Sequence, residues 1–215
     1  MITQIENLNF KKRKTKKIQI LLADTLRPYN FYINSIKYRY NGENGKVPHF
    51  VINKKGEIFS LVPTEYYSNY LNSKSTIVIC LENLGWLNKS TLAPMYVNWI
   101  GDVYRGEPHI ARWKERFFWD MYTEDQMNSL VKVIEDISVK HNIPKSLINH
   151  TAVISYPTKY KGILSRCNFS NIYTDISPAF NVKLFEKLLN DEKNDNRISA
   201  DEEHVENDSH DKGAD

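Results

Sequence analysis

Short apolar runs separated by polar turns recur along the chain, and they predict a sheet with a few helices. Residues 18–22 and 76–81 are almost continuously apolar, which is typical of strands buried on both faces. Residues 49–62 predict a hairpin with arms at 50–52 and 58–62. Its turn, residues 53–56, ends in Gly56, and glycine suits the left-handed conformation that such turns need.

Three other segments have the apolar spacing of helices. The clearest covers residues 123–140, where Thr123 can cap the first turn and Gln126 stands at the capping-box position. Residues 30–40 and 178–189 predict two further helices, and residues 147–153, around His150, predict another short strand. This alternation favours an α/β fold in which a mixed central sheet is flanked by helices.

Residues 86–121 do not follow this pattern. They hold all four tryptophans of the chain and three of its arginines, with little periodicity. We interpret them as a long insertion over one face of the sheet, because so aromatic a segment is not typical of disorder. The tryptophans either cover the sheet or help to line a groove or a partner interface.

The two ends of the chain differ in charge. Residues 1–17 carry a basic cluster, which we interpret as a solvated lead-in rather than a nucleic-acid site. Residues 190–215 are predicted to be a disordered acidic tail, since from position 191 onward ten acidic and three basic side chains leave a charge of −7. The rest of the chain therefore carries +10, which draws polyanions such as a cell wall but equally serves solubility.

Membrane insertion and secretion leave no signal in the sequence. No run of about 18 apolar residues predicts a transmembrane helix, and the N-terminal residues lack the apolar core of a signal peptide. The two cysteines, Cys80 and Cys167, suit a reducing compartment better than a disulfide framework.

Several short motifs occur in an order that resembles a known family. They are residues 48–58, residues 75–83, the helix start at 122–126, Asn149-His150, and Asp175 followed by residues 177–180. Over residues 18–189 this set resembles the type 2 N-acetylmuramoyl-L-alanine amidases, the phage-lysozyme and peptidoglycan-recognition type, as a divergent member.

The resemblance implies a zinc-dependent hydrolase acting on peptidoglycan or its muropeptides. Zinc on three protein ligands lowers the pKa of its bound water to about 7 and polarises the amide carbonyl. By resemblance, His150 and Asp175 are the second and third ligands. The first ligand position falls on Leu21, which cannot bind zinc. A complete set of three ligands would therefore need Asp24 or His49 in addition to His150 and Asp175.

The resemblance also suggests residues that act on the substrate. Tyr173 replaces a lysine of the phage-lysozyme branch and could donate a hydrogen bond to an oxyanion, and His49 is the other catalytic candidate. Sugar stacking and carboxylate pairing are expected of the substrate-binding candidates Trp86, Trp99, Arg105, Arg112 and Trp113. Simple structural roles remain the alternative, with both histidines in the core and Asp175 in a turn.

Three hypotheses about function follow. The first is a degenerate amidase domain of phage origin, a pseudoenzyme that binds a glycopeptide or a protein partner without cleaving it. The second is an active, endolysin-like zinc amidase with a rearranged ligand set. The third is a structural virion component that reuses the fold. In each case we expect the protein in the host cytoplasm or the virion, and in the first two it acts at the cell wall.

Overall fold

The computed structural model describes residues 1–6, 8, 10, 12–38, 47–68, 70, 74–91 and 95–191. The chain divides into a unit of residues 1–181 and a unit that begins at Val182. The second unit contains the helix α3 over residues 182–191, in which Phe185 and Leu189 are buried. The predicted acidic tail from residue 192 and the last two residues of the predicted helix at 30–40 lie outside the described residues.

The central element of the first unit is a mixed sheet of six strands in the part of the chain that the structure describes. Its order is β1 (Ile2–Gln4), β4 (Ile58–Ser60), β3 (Phe50–Ile52), β5 (Thr76–Leu81), β2 (Gln19–Asp24) and β11 (Gly162–Ser165). The β3–β4 pair is antiparallel and the other four pairs are parallel. The predicted hairpin and the predicted strand at 76–81 are thus confirmed.

Helices flank this sheet, as the sequence predicted. Helix α1 (Tyr29–Tyr38) places Ile33 in a cluster with Leu21 and Val78, side chains of one sheet face. Helix α2 (Glu124–His141) begins with the predicted capping box of Thr123 and Gln126. Its apolar stripe is buried, which accounts for its stability as a helix on the sheet. The structure therefore confirms the mixed α/β class.

The prediction of a strand at residues 147–153 is wrong. These residues form a turn, with a single isolated bridge from Leu147 to Ile163. The strand beside β2 is β11 instead, a second short apolar run fifteen residues further along the chain. Periodicity does not distinguish two such short runs, and pairing with β2 decides between them.

Residues 86–121 form a sheet of their own rather than an irregular cover. Its order is β8 (Val103–Tyr104), β7 (Tyr96–Val97), β6 (Trp86–Lys89), β10 (Arg116–Trp119) and β9 (His109–Trp113), with antiparallel neighbours throughout. The strands have two to five residues each, too short for a clear alternation of apolar and polar positions.

The N-terminal segment is more ordered than a solvated lead-in. Strand β1 adds a parallel edge to β4 through backbone pairing, which needs no apolar side chains. Lys17 is buried, and its Nζ donates to the carbonyl oxygens of Tyr66 at 2.7 Å and Thr76 at 3.3 Å. None of the helices among the described residues combines the length and the apolar character needed to cross a membrane.

Substitutions at two glycines test how closely α2 packs against the β3–β4 turn. Both have positive φ, +75° at Gly56 and +89° at Gly101. A Cβ at Gly56 would lie 2.7 Å from the backbone oxygen of Asp125 in α2, whereas one at Gly101 would meet nothing within 4 Å. We expect Gly101→Ala to cost about 1 kcal/mol in unfolding free energy from backbone strain alone, and Gly56→Ala to cost about 2 kcal/mol more from overpacking. Urea denaturation of both variants measures this, and equal losses would contradict the close packing.

Candidate functional site

The candidate site forms where the parallel strands β2 and β11 end side by side. Strand β2 ends at Asp24, and Arg166 follows the last residue of β11. Asp175 joins both ends: its Oδ1 accepts the N–H of Asp24 at 2.8 Å and lies 2.6 Å from Nη2 of Arg166. The ends of parallel strands are where α/β sheets commonly bind ligands.

The Asp24 side chain is fully buried and is held by two donors. The Tyr122 hydroxyl lies 2.8 and 3.0 Å from its two oxygens, and the N–H of Ile176 donates to Oδ2 at 3.0 Å. The N–H of Ser177 donates in turn to the Tyr122 hydroxyl at 3.2 Å. This network ties β2 to Tyr122, two residues before the start of α2, and to the loop that carries Asp175.

The two carboxyl groups differ electrostatically because only one faces a cation at contact distance. Burial, and then the charge of Asp175, raise the pKa of Asp24 well above its usual range. Burial alone would lower the pKa of Arg166, but the neighbouring Asp175 outweighs it and raises that pKa. The site thus combines a permanently charged guanidinium, its carboxylate partner and a carboxyl group that favours its neutral form.

Backbone strain is concentrated on both sides of this network. Ile176 has φ of +51° and Leu26 has φ of +58°. A left-handed conformation is a genuine outlier for a β-branched residue such as isoleucine. Strain of this kind, of order 1–3 kcal/mol per residue, persists where surrounding contacts impose it, and such sites are often functional.

Aromatic rings enclose the Arg166 guanidinium. Its carbon lies 4.8 Å from the ring centroid of Tyr173 and 5.7 Å from that of Tyr70, which are favourable cation–π positions. The Tyr70 hydroxyl lies 3.8 Å from the Cys80 sulfur. Burial raises the pKa of Cys80 to about 11, so this residue is a neutral thiol rather than a thiolate ligand.

A cavity of about 340 Å³ opens beside this cluster. It is lined by ten residues of the first unit, namely Asp24, Thr25, Leu26, Arg27, Tyr32, Ser35, Tyr70, Trp99, Ile100 and Arg166. Such a volume falls within the range of small-ligand pockets.

Lys114 fixes the second sheet to the loop that carries Asp175. It lies at the β9–β10 turn, where both Lys114 and Glu115 have positive φ, 47° and 61°. Its Nζ donates to the carbonyl oxygens of Asn171, at 2.9 Å, and Tyr173. The hairpin therefore supports the loop from outside.

Neither of the two predicted histidines forms a side-chain hydrogen bond with Asp24 or Asp175. His49 is buried between backbone groups: its Nδ1 accepts from Val78 N–H at 3.0 Å and its Nε2 lies 3.1 Å from the Tyr66 carbonyl oxygen. Burial lowers the pKa of His49 to about 3. His150 lies in the turn after Leu147, packs against Phe180 with ring centroids 5.9 Å apart, and leaves its Nε2 without a hydrogen-bond partner.

The predicted substrate residues are dispersed. Trp99 is exposed and lines the cavity. The guanidinium carbon of Arg116 lies 3.8 Å from the Trp86 ring centroid, and the ring of Trp113 packs on that of buried Trp119. The other two are exposed: Arg112 lies 6.0 Å from the Phe117 ring centroid, and Arg105 is in the β8–β9 connection.

The side chains of this site do not fit a bound zinc ion. Across the residues that the structure describes, no three His, Cys, Asp or Glu side chains come close enough to hold a metal. Asp24 and Asp175 are brought together, but neither His49 nor His150 completes a ligand set with them. Leu21 is buried in the apolar cluster of its sheet face.

Sequence reasoning missed several residues of the site. Arg166, Arg27, Tyr70 and Tyr122 were not singled out, although Tyr122 lies in a quoted motif. The usable signal for Arg166 was its position two residues after the apolar run 162–164, which places it just past a strand end. Nothing in the sequence indicates the left-handed backbone of Ile176.

The Asp24 environment predicts a particular pH dependence of stability. Because its folded pKa is raised, the folded state keeps a proton that the unfolded chain loses above about pH 4, and stability falls as pH rises from there. Asp24→Asn is a neutral isostere of the protonated form, so the variant should gain on wild type with rising pH, by at most about 1.4 kcal/mol per pH unit. Urea unfolding between pH 4 and 8 measures this. Asp136→Asn, at an exposed carboxylate of α2, is the control, and parallel curves for wild type and Asp24→Asn would contradict the burial argument.

Comparisons with known proteins agree with this fold. The solved amidase LysC from Clostridium intestinale URNW matches with a TM-score of 0.54 and 16% identity, over 88% of this chain and 97% of that one. The endolysin amidase LysCS from the same organism matches with a TM-score of 0.51 and 16% identity, over 88% of this chain and 95% of that one. Escherichia coli AmiD, in complex with anhydro-N-acetylmuramic acid-L-Ala-D-gamma-Glu-L-Lys, has a TM-score of 0.42 and 14% identity, over 64% of this chain and 49% of that one.

The family itself is shown by sequence. No curated protein matches the chain. The model of the Amidase_2 family, described as N-acetylmuramoyl-L-alanine amidase, matches residues 14–161, which is more than half of the chain. The chain therefore belongs to the N-acetylmuramoyl-L-alanine amidase family.

Proposed function

We propose that this protein binds a peptidoglycan fragment, a muropeptide, through the amidase fold, and that it does not hydrolyse it by zinc chemistry. The observation that carries the proposal is the ion pair of Arg166 with Asp175, 2.6 Å apart. Arg166 thereby pairs with the carboxylate that the resemblance assigned as a zinc ligand. The family match ends at residue 161, before either of these residues, so it assigns no role to Arg166 or Asp175.

Electrostatics oppose a zinc ion beside this pair. A guanidinium is not deprotonated in proteins, and the neighbouring carboxylate raises the pKa of Arg166 further. A divalent cation about 4 Å from it would be repelled by roughly 8 kcal/mol at an effective dielectric of 20. Because Arg166 and Asp175 together carry no net charge, the pair as a whole does not attract a cation.

The shape of the site supports binding. The cavity is walled by Tyr32 and Tyr70, and Trp99 with 58% exposure stands at its wall. An exposed tryptophan face suits stacking on a sugar ring, and the polar groups inside suit a peptide. A phage origin stays a prediction, for which the endolysin among the similar structures is the support.

One observation favours an active zinc amidase as the second candidate. His150 Nε2 is buried without a hydrogen-bond partner, which is costly unless something binds it. Burial lowers the pKa of His150, so the ring is in the neutral form that a metal requires. This candidate needs Arg166 to leave Asp175 when zinc arrives.

Zinc content and hydrolysis of the full chain decide between these candidates. We expect purified protein, loaded with excess zinc and then desalted, to retain far less than one zinc per chain, and to release no amide-cleavage products from peptidoglycan. Mass spectrometry of the metal and of the soluble muropeptides measures both, with a proven amidase as positive control. About one zinc per chain that is lost in His150→Ala, together with hydrolysis, would establish the active amidase.

Binding is measured separately by co-sedimentation with insoluble peptidoglycan. We expect wild-type protein to pellet and Trp99→Ala to pellet at least several-fold less, because the variant loses the stacking surface. Tyr156→Ala removes an aromatic ring with 73% exposure that does not line the cavity, and it should pellet like wild type. Absence of wild-type protein from the pellet would reject peptidoglycan as the ligand.

A further inference from the structure

We propose that the cavity beside Arg166 is a carboxylate subsite, in which Arg27 and Arg166 together hold one carboxylate of the bound ligand. The inference rests on the proposed function for the identity of the ligand, a peptidoglycan fragment. It rests on its own observations for the chemistry of the subsite.

Two guanidinium groups that line one cavity are left with unused donors. The Nε atoms of Arg27 and Arg166 are both buried and have no hydrogen-bond partner. A buried donor without an acceptor costs about 1–3 kcal/mol. Both side chains line the same cavity, so a ligand acceptor bound there would lie beside both guanidinium groups.

Arg27 has no partner of opposite charge in this cavity. Asp175 pairs with Arg166, but Arg27 has no ion pair within the described residues. Asp24 also lines the cavity, yet its carboxyl group is engaged by the Tyr122 hydroxyl and the Ile176 N–H. A ligand carboxylate would therefore give Arg27 the partner that these side chains do not provide.

The arginines are held in place before any ligand arrives. The left-handed backbone of Leu26 turns the chain at the end of β2, directly before Arg27, whose guanidinium lies 5.9 Å from the Phe31 ring centroid. The carbonyl oxygen of Arg27 accepts the Thr25 hydroxyl at 2.6 Å. Arg166 is fixed by Asp175, Tyr70 and Tyr173. A site arranged in advance loses little side-chain entropy on binding.

The wall favours a carboxylate over other oxyanions. Guanidinium forks match the planar geometry of a carboxylate, and the remaining wall of Tyr32, Tyr70, Trp99 and Ile100 suits the apolar part of an amino acid. N-acetylmuramoyl-L-alanine, whose name appears in the family's description, carries such a carboxylate on its alanine when no further residue is attached.

The test compares two probes that differ in this group alone. Calorimetry of the full chain with N-acetylmuramoyl-L-alanine and with its C-terminal primary amide measures what the carboxylate contributes. We expect the acid to bind at least tenfold more tightly than the amide. Arg27→Gln should weaken the acid at least tenfold and leave the amide unchanged, because it removes the guanidinium but keeps a polar side chain.

A second variant keeps the experiment decisive if Arg27→Gln unfolds. Arg27→Lys retains the charge without the fork, and it should weaken binding of the acid less than Arg27→Gln does.

Equal affinity of wild type for acid and amide overturns the carboxylate subsite while the proposed function stands. Preference for acetyl-L-alanine over its amide, with no gain from the muramoyl group, supports the subsite and rejects the glycopeptide ligand. Displacement of the acid by inorganic phosphate but not by acetate overturns the carboxylate assignment, and absence of binding by every probe overturns both proposals.

Discussion

The buried ion pair between Arg166 and Asp175 is the interaction on which the organisation of this site depends. It joins the end of β11 to the loop before α3, and through the Asp24 N–H it joins both to the end of β2. Removing two charges from water is costly, and such a pair persists only when further hydrogen bonds satisfy its members. The aromatic rings around Arg166 and the strained Ile176 are consistent with a loop held in place by that pair.

The family match covers most of the fold. It includes four of the six strands of the mixed sheet, β2 to β5, with the β3–β4 hairpin and the capping box of α2. At the end of the sheet a guanidinium pairs with the Asp175 carboxylate, and Leu21, at the first ligand position that the resemblance implied, is an apolar core residue. A permanent cation at the end of the sheet favours anions over metal ions.

Positions buried between sheet and helices could be predicted from the sequence because burial leaves a pattern. Residues 76–81 and the capping box at Thr123 illustrate this. The site could be predicted only in part. Asp175 and Asp24 were recognised, but His150 was placed within a predicted strand at residues 147–153, whereas the strand beside β2 lies fifteen residues further on and is followed by Arg166. Strand pairing is a property of the whole sheet, and a short apolar run does not reveal it.

Other features leave no trace in the sequence for different reasons. The second sheet is built from strands of two to five residues, and its aromatic rings stack on one another and on arginine. The sequence of this segment therefore shows neither the apolar period of a strand nor that of a helix. The positive φ of Ile176 is imposed by contacts with Asp24, a residue more than 150 positions away. Local propensity opposes that conformation, and tertiary contacts impose it.

A double-mutant cycle on the ion pair tests this account most directly. Unfolding free energies would be measured for Arg166→Met, for Asp175→Asn and for the variant that carries both. The account predicts that each single change costs about 3–5 kcal/mol, because it leaves a charge buried without its partner, and that the double variant costs clearly less than the two combined. Small, additive losses would contradict the claim that this pair holds the site together.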